Sequence, residues 1–373
     1  MLSNFISVRP RYELSNELAS KNSIEFRLLQ KGNTFSRSDI TRRITRFGAA
    51  FSSIKTRGTE VKDYALSLPE QGLEFTLFKD GISATLEQRM ELYQSRAIEV
   101  IHEMYADDQK LNRARPQNLI HVSCTGYQAP SAAQAVVAEW GIEGKYSTQV
   151  THAYHMGCYA SLPALRIARG FLAAASEKQT VDIIHNEMCS LHFDPGTLEP
   201  EQVVVQSLFA DGHIKYTMGT DSQVEGFEVL SLFEQILPAS GDAMTWAPGP
   251  THFKMTLSRT VQNAFLPYLK NFVSELLNRA QISSDTVPLI YAVHPGGPKI
   301  IEGVQGELLL GDEQVIESQS ILERCGNMSS ATIPHILKEI LSNPKRMNGG
   351  VIVALAFGPG LTMSGGVFRL CKK

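Results

Sequence analysis

Apolar residues recur at helical spacing in three stretches of the chain. Leu86, Met90, Tyr93, Ala97, Val100, Ile101 and Met104 form one stripe, and Val261, Phe265, Leu269, Phe272 and Leu276 form another. The third places Leu162, Leu165, Ala168 and Leu172 on one helix face, with Pro163 in the first turn, where a missing N–H costs little. Short apolar runs at residues 5–8, 119–122, 181–184, 289–293 and 351–357 read as buried strands, the last of them as the final strand. Several end in turns of small residues: Ser123-Cys124-Thr125-Gly126, His294-Pro295-Gly296-Gly297-Pro298 and Gly358-Pro359-Gly360. Strand, tight turn and helix therefore alternate in both halves of the chain, without a close internal repeat. That alternation predicts an α/β protein with helices layered on mixed sheets. The polar, glycine-bearing residues 219–227 mark a boundary between an N-terminal half, 1–219, and a C-terminal half, 220–373. Residues 185–192 read as a polar turn after a buried strand. Residues 241–251 read as a loop carrying Trp246, one of two tryptophans.

A length of 373 residues is ample for a large core, and 43% apolar with 20% charged residues is ordinary for a globular chain. The formal net charge of −3 argues against nucleic-acid binding as the main role. The five cysteines, at 124, 158, 189, 325 and 371, include no CxxC pair, so a structural zinc site is not expected. Free thiols suit a reducing cytoplasm. The N-terminus has no apolar leader pattern, and no apolar run reaches the roughly 18 residues a membrane helix needs. The densest basic charge lies in residues 20–60, with Arg37, Arg42, Arg43, Arg46, Lys55 and Arg57. It reads as a solvated helix face or as a grip for the phosphates of a carrier.

Candidate chemistry gathers at the turns. Cys158 follows Gly157 and immediately precedes the third helical stripe. Free N–H groups and the helix dipole would favour a thiolate there, and the alternative is a small buried hydrophobe. His294 follows a buried strand and opens a Pro-Gly-Gly-Pro turn, a place for a reactive imidazole or a satisfied structural one. Asn327 can donate through its amide or cap the helix that follows. The Gly358-Pro359-Gly360 loop can offer backbone N–H groups to a carbonyl oxygen. Cysteine with histidine at such turns suggests acyl transfer through a thioester. In an open α/β sheet, ligand sites collect at strand carboxyl ends, which draws in Glu187, Cys189 and His192.

The words V-H-P-G-G-P around His294, G-N-M-S-S-A around Asn327, F-G-P-G-L-T from Phe357, L-F-A-D-G from Leu208 and the G-C pair at Cys158 occur together and in one order. With them the chain resembles the type III polyketide synthases, the chalcone-synthase-like branch of the thiolase superfamily. The likeness runs from Asn118 onward; earlier residues match only loosely. S-C-T-G-Y from Ser123, A-Y-H-M-G-C-Y-A from Ala153 and H-N-E-M-C from His185 bring it closer to the bacterial alkylpyrone and alkylresorcinol synthases.

The resemblance implies a five-layered αβαβα thiolase fold made of two similar halves, a homodimer, and neither metal nor redox cofactor. It assigns the catalytic roles to Cys158, His294 and Asn327, and a gatekeeping role to Phe209. The pocket is expected to include Cys124, Thr125, Glu187, Cys189, His192, Trp246, Ser329, Gly358, Pro359 and Gly360. Arg46, Lys55, Arg57 and Lys299 are the expected grip on coenzyme A. The implied reaction loads a fatty acyl thioester on a Cys158 thiolate kept ionised by His294. Malonyl-CoA then extends it, and closure gives an alkylpyrone or alkylresorcinol. The donor is a coenzyme A thioester or one on an acyl carrier protein. The alternatives are a ketoacyl synthase III-like enzyme making one condensation, a cysteine hydrolase, and an acyl-binding protein with an inert thiol.

Overall fold

Residues 351–358 show why the chain builds layers. Val351, Val353, Leu355 and Phe357 point into one hydrophobic cluster, and Ile352, Ala354 and Ala356 into another. A pleated strand covered on both faces requires that alternation. The computed structural model describes residues 1–48, 53–65, 77–79, 82–110, 114–142, 148–221, 223–258, 261–283 and 287–373. Within them nine strands form one hydrogen-bonded sheet. They are β1 (Leu2–Val8), β2 (Asn118–Ser123), β3 (Gln149–Tyr154), β4 (Thr180–Met188), β5 (Asp211–Gly219), β6 (Gly226–Ile236), β7 (Leu289–Val293), β8 (Val351–Gly358) and β9 (Thr362–Cys371).

The spatial order is β7-β8-β9-β6-β1-β5-β4-β2-β3. The same arrangement occurs on both sides of β1. β2 runs parallel to β4, which pairs antiparallel with β5. β7 runs parallel to β8, which pairs antiparallel with β9. β1 is the seam, pairing antiparallel with β5 on one edge and β6 on the other, so that Leu2 faces both Met218 and Phe227.

The helices that position the site are α1 (Asn16–Leu29), α2 (Arg37–Phe47), α3 (Leu86–Lys110), α4 (Ala132–Ile142), α5 (Ser161–Ala174), α6 (Pro200–Leu208), α7 (Val261–Ala280), α8 (Pro298–Leu308), α9 (Ile316–Cys325) and α10 (Thr332–Ser342). α5 and α10 form the middle layer: Leu162, Leu165 and Ala168 share one cluster with Ile333, Ile336 and Leu337, between Ile120 and Ile183 of one half and Ile352 and Ala354 of the other. α3 and α4 cover the outer face of the first half through Val100, Ile101, Val136 and Trp140. α7 and α8 cover the second through Phe265, Leu269, Ile301 and Val304. The result is the expected αβαβα stack. No helix among the described residues is long and apolar enough to cross a membrane.

Four sequence-based expectations change. β1 begins at Leu2 rather than at residue 5. β4 continues to Met188, so His185, Asn186 and Glu187 are strand residues rather than a turn; their polar side chains hydrogen-bond within the interior. The stretch holding Trp246 is a hairpin, with strands Met244–Pro248 and Phe253–Leu257. A further strand, β9, follows the Gly358–Gly360 loop.

Burial holds five histidines neutral. His121 and His335 are pushed down to about 4, and His185, His192 and His294 to about 3, in each case chiefly by desolvation. In the unfolded chain each titrates near 6.5. The folded state therefore binds fewer protons below that value, and stability is lost as pH falls from about 6.5 toward 4. Urea midpoints measured across that range should drop steeply; a flat profile would mean that these imidazoles are solvated.

Candidate active site

Close backbone approach brings the candidate turns together. Gly157, at φ +81°, lies so near Pro359 that an added Cβ would sit 2.8 Å from its ring. Gly326, at φ +70°, leaves room for a Cβ only 3.0 Å from both the Leu208 carbonyl and the Arg57 side chain. Both positions need glycine for conformation and for space. Beside Gly326, Asn327 joins the segment after α6. Its N–H donates to the Leu208 carbonyl at 2.9 Å, and its carbonyl accepts from the Ala210 N–H at 2.8 Å. Phe209 and Asn327 thus form a parallel bridge.

Cys158 is buried, three residues before α5, which starts at Ser161 without a side-chain cap. Desolvation pushes its thiol up to about 12, while the side chains of Ser329 and Asn327 pull in the opposite direction. Burial thus opposes the thiolate expected from the sequence, and the two neighbouring side chains favour it. His294 follows β7, its N–H continuing the ladder to the Leu355 carbonyl at 2.8 Å. Its ring is buried and held neutral, and neither ring nitrogen has a hydrogen-bond partner among the described residues. An imidazole buried without partners is costly, and such groups recur where a ligand completes them. The Asn327 Oδ1 accepts from the Ser329 N–H at 2.9 Å. That contact orients the amide and leaves its NH₂ as the end available for donation.

Behind the thiol, Ser329, at φ +49°, sets its hydroxyl 2.9 Å from the Cys124 sulfur and 3.9 Å from the Cys158 sulfur. Glu187 anchors this wall. It accepts from the Cys124 N–H at 3.1 Å, the Thr125 hydroxyl at 2.8 Å, the Cys124 thiol at 3.5 Å and the Ser330 hydroxyl. Ser330 also contacts His185 Nδ1 at 3.0 Å. A buried ionised carboxylate costs several kcal/mol unless donors surround it. Burial still leaves the Glu187 carboxyl above its ordinary range.

A cavity of about 1190 Å³, counted with its open mouth, includes Cys158 in its lining. Of the expected pocket residues, Cys124, Thr125, Cys189, His192, Phe209, Trp246, Ser329 and Pro359 line it. Glu187 stands behind the wall. His294, Asn327, Gly358 and Gly360 are also outside the described lining. His192 is committed to structure: its Nδ1 accepts from the Phe253 N–H at 3.0 Å, which makes Nε2 the donor to the Thr125 carbonyl at 2.7 Å. Trp246 donates to the Cys124 carbonyl at 2.6 Å, and its own carbonyl accepts from His155 at 3.0 Å, fastening the hairpin over the chamber.

The expected coenzyme A residues separate into two groups. Arg46 and Lys299 are exposed, and Lys55 pairs with Glu323 at 2.5 Å. Arg57 is buried in the cavity wall, donating to the carbonyls of Gln206 at 2.8 Å and Phe209 at 3.0 Å. Its guanidinium therefore braces the Phe209–Asn327 bridge from within the cavity wall. Sequence reasoning missed Ser330, and it missed the part of the lining drawn from α1. Only the S-S pair after Asn327 hinted at the former.

Comparison with known proteins agrees with this geometry. A model of the N-terminal domain of chalcone and stilbene synthases matches residues 29–222, and one of their C-terminal domain matches residues 228–371. The match thus begins well before Asn118. The alpha-pyrone synthesis polyketide synthase-like Pks18 of Mycobacterium tuberculosis is 28% identical over 303 residues, 78% of this chain and 75% of the relative. A putative chalcone synthase of Bacillus subtilis is 28% identical over 302 residues, 76% of this chain and 80% of the relative. Among solved structures, PKS-I from the brown alga Ectocarpus siliculosus superposes with a TM-score of 0.84 at 21% identity, covering 98% of this chain and 97% of that one. The 1,3,6,8-tetrahydroxynaphthalene synthase of Streptomyces coelicolor gives 0.79 at 20% identity, covering 100% and 99%.

A neutral resting thiol has a direct signature. Alkylation of Cys158 by iodoacetamide should accelerate steadily with pH through about 9, following a thiol with a raised pKa. A rate that levels off near neutrality would show a thiolate already present.

Proposed function

The chain belongs to the chalcone and stilbene synthase family, and from that membership we propose that it loads a long-chain fatty acyl group on Cys158 and extends it to an alkylpyrone or alkylresorcinol. It is a type III polyketide synthase, an acyltransferase that forms carbon–carbon bonds by decarboxylative Claisen condensation of acyl-CoA with malonyl-CoA. The cavity that opens on Cys158 carries the starter assignment. Its wall includes Leu14, Ala19, Phe26, Val203, Phe253 and Met255, an aliphatic and aromatic surface suited to an acyl chain. The mycobacterial relative, an alpha-pyrone synthesis polyketide synthase-like protein, supports a pyrone product.

The proposed sequence starts from the neutral pair. Cys158 sulfur attacks the acyl thioester as its proton passes to His294, and the coenzyme A thiol leaves carrying that proton. Malonyl-CoA then loses carbon dioxide. The resulting enolate oxygen accepts from His294 Nε2–H and from the Asn327 NH₂, the two groups the resting structure leaves available. The enolate carbon attacks the Cys158 thioester, the tetrahedral oxyanion is met by backbone N–H groups near Cys158 and the Gly358–Gly360 loop, and the Cys158 sulfur leaves. The extended chain, now a coenzyme A thioester, returns to the Cys158 sulfur for each further round. After two or three extensions, attack of an enol oxygen on the thioester carbon closes a pyrone and expels the thiol. Alternatively, attack of carbon on a ketone closes a resorcinol ring with loss of water, the thioester being hydrolysed and its carboxylate lost as carbon dioxide. No cofactor is assigned a role. We assign the working form to a homodimer, and exposed Arg46 and Lys299 to the coenzyme A phosphates.

Incubating the protein with acyl-CoAs of graded length and labelled malonyl-CoA should give cyclic products from long starters, read by mass spectrometry. β-Keto products of one extension would replace this reading with a single-condensation ketoacyl synthase, and free fatty acid with malonate untouched would indicate a hydrolase. Asn327→Ala should lower malonyl decarboxylation by about 10²–10³ while starter loading, followed as acyl-protein mass, falls far less. Equal loss of both steps would remove Asn327 from the enolate site.

A further inference from the structure

Each condensation at Cys158 takes up one proton: acyl thioester, malonyl carboxylate and a proton become β-ketoacyl-CoA, carbon dioxide and a free Cys158 thiol. The proton belongs on the departing sulfur, because burial disfavours a thiolate there. The groups assigned to the enolate oxygen do not supply it. His294 is held neutral, and both its Nε2–H and the Asn327 NH₂ would be left as anions by giving a proton away. The source has to lie on another side of the sulfur.

The Ser329 hydroxyl stands 3.9 Å from that sulfur and 2.9 Å from the Cys124 sulfur. The Cys158 thiol donates to Ser329, and the Cys124 thiol donates to Glu187 Oε2 at 3.5 Å. With both thiols donating, the Ser329 oxygen accepts from Cys158 and its own proton goes to Cys124. Three donors in series therefore run from Cys158 to the Glu187 carboxyl. A second series ends on the other oxygen. Ser330 donates to Oε1, so the Ser330 oxygen accepts from His185 Nδ1–H at 3.0 Å, and His185 Nε2 is left to accept from the Tyr216 hydroxyl at 3.1 Å. Donors aligned in this way polarise one another, and both series converge on one carboxyl. Glu187 is fully buried, and burial raises its carboxyl above the ordinary range, which suits it to carry a proton. Thr125 lines the cavity and donates to Oε2 at 2.8 Å, which gives the carboxyl a hydroxyl on the cavity side.

We propose that Glu187, Cys124 and Ser329 form a proton relay that protonates the Cys158 sulfur as it leaves at each condensation. The inference rests on the reading of Cys158 as the acyl carrier in a decarboxylative condensation. With Cys158 acylated and Glu187 protonated, the donors of the first series point toward Cys158. As the tetrahedral adduct collapses, the carbon–sulfur bond breaks and its electron pair stays on the Cys158 sulfur. That sulfur takes the Ser329 proton, the Ser329 oxygen takes the Cys124 proton, and the Cys124 sulfur takes the Glu187 proton. The ketone carbonyl re-forms and Glu187 is left as a carboxylate. The passage turns each hydrogen bond around and leaves the three in the direction the structure shows. Glu187 then takes its next proton from solvent by way of Thr125, so the proton consumed in each round enters from the medium. Ser329 touches the reacting sulfur; Cys124 and Glu187 act through it.

The test preloads the full-length protein with the acyl-CoA that loads best and removes free starter. Malonyl-CoA is then added, and loss of acyl-Cys158 is followed by intact mass as β-ketoacyl-CoA forms. Starter loading and decarboxylation of malonyl-CoA by the unloaded protein are measured beside it, since neither expels the Cys158 sulfur. Ser329→Ala and Cys124→Ala should each slow the extension step by about 10²-fold, the lower end for a positioned proton donor. Loading and decarboxylation should fall far less, because Ser329→Ala keeps the backbone N–H that orients Asn327. Cys124→Ser should recover most of the rate lost by Cys124→Ala, since a hydroxyl also donates and accepts. The two cuts lie on different turns, so loss of folding in one leaves the other decisive. If folded variants extend as fast as the unaltered protein, or lose loading and decarboxylation in step with extension, the relay is overturned and the functional reading stands. A Cys124→Ser variant no faster than Cys124→Ala would overturn it equally. If the unaltered protein loads acyl groups but consumes no malonyl-CoA, the functional reading falls and the relay with it.

Discussion

Two backbone hydrogen bonds join the halves of the active site. Asn327 belongs to the second half of the chain and Phe209 to the first, and the Asn327 N–H to Leu208 carbonyl and Ala210 N–H to Asn327 carbonyl bonds set them side by side. Each bond is worth only about 1 kcal/mol net. Their importance lies in geometry, because the amide proposed to hold an enolate inherits its position from a segment on the other half. Arg57 makes that segment rigid by occupying the carbonyls of Gln206 and Phe209. The same side chain lines the cavity, so a charge buried for architectural reasons also shapes the path of the substrate.

The imidazole of His294 rests unsatisfied. Burial pushes the Cys158 thiol up and keeps His294 neutral, and neither ring nitrogen has a partner among the described residues. Burial accounts for both shifts, and the same burial keeps water from the enolate once substrate is present. Two polar side chains of the surrounding wall are committed elsewhere. Glu187 holds Cys124, Thr125 and Ser330, and His192 uses both ring nitrogens. The contrast between saturated surroundings and an incomplete centre distinguishes the residues that hold the chamber from those free to meet a reacting atom.

Much of this was legible in the residues. The period of the apolar positions placed α3, α5 and α7, and the small-residue turns marked where Cys158, His294, Asn327 and Pro359 stand. The layered class followed from alternation alone; the assembly of the turns needed the family likeness, because spacing along a chain carries no information on distance across it. What was misread has a common cause. His185, Asn186 and Glu187 looked like a turn because they are polar, yet their partners lie on other elements and let them sit inside β4. Arg57 looked like a surface cation for the same reason. Trp246 sits in a hairpin rather than a loop because two strands of mixed character pair there. The α1 side of the cavity bears no motif, since an apolar wall is written in the same residues as a core.

The seam strand has a consequence for how the molecule is made. β1 leaves the ribosome some two hundred residues ahead of its two neighbours, β5 and β6, which begin at Asp211 and Gly226. Until those strands have been synthesised, β1 has no edge to join and its Leu2 and Phe5 have no core to enter. Vectorial folding is therefore interrupted at this strand. Helices and parallel strands of the first half can condense as they emerge, while β1 remains an unpaired edge, the form most prone to pairing with a neighbouring chain. The bulge that breaks its register against β5 between Ser3 and Ile6 makes it a poor template for such pairing, a safeguard for the interval in which the strand must wait.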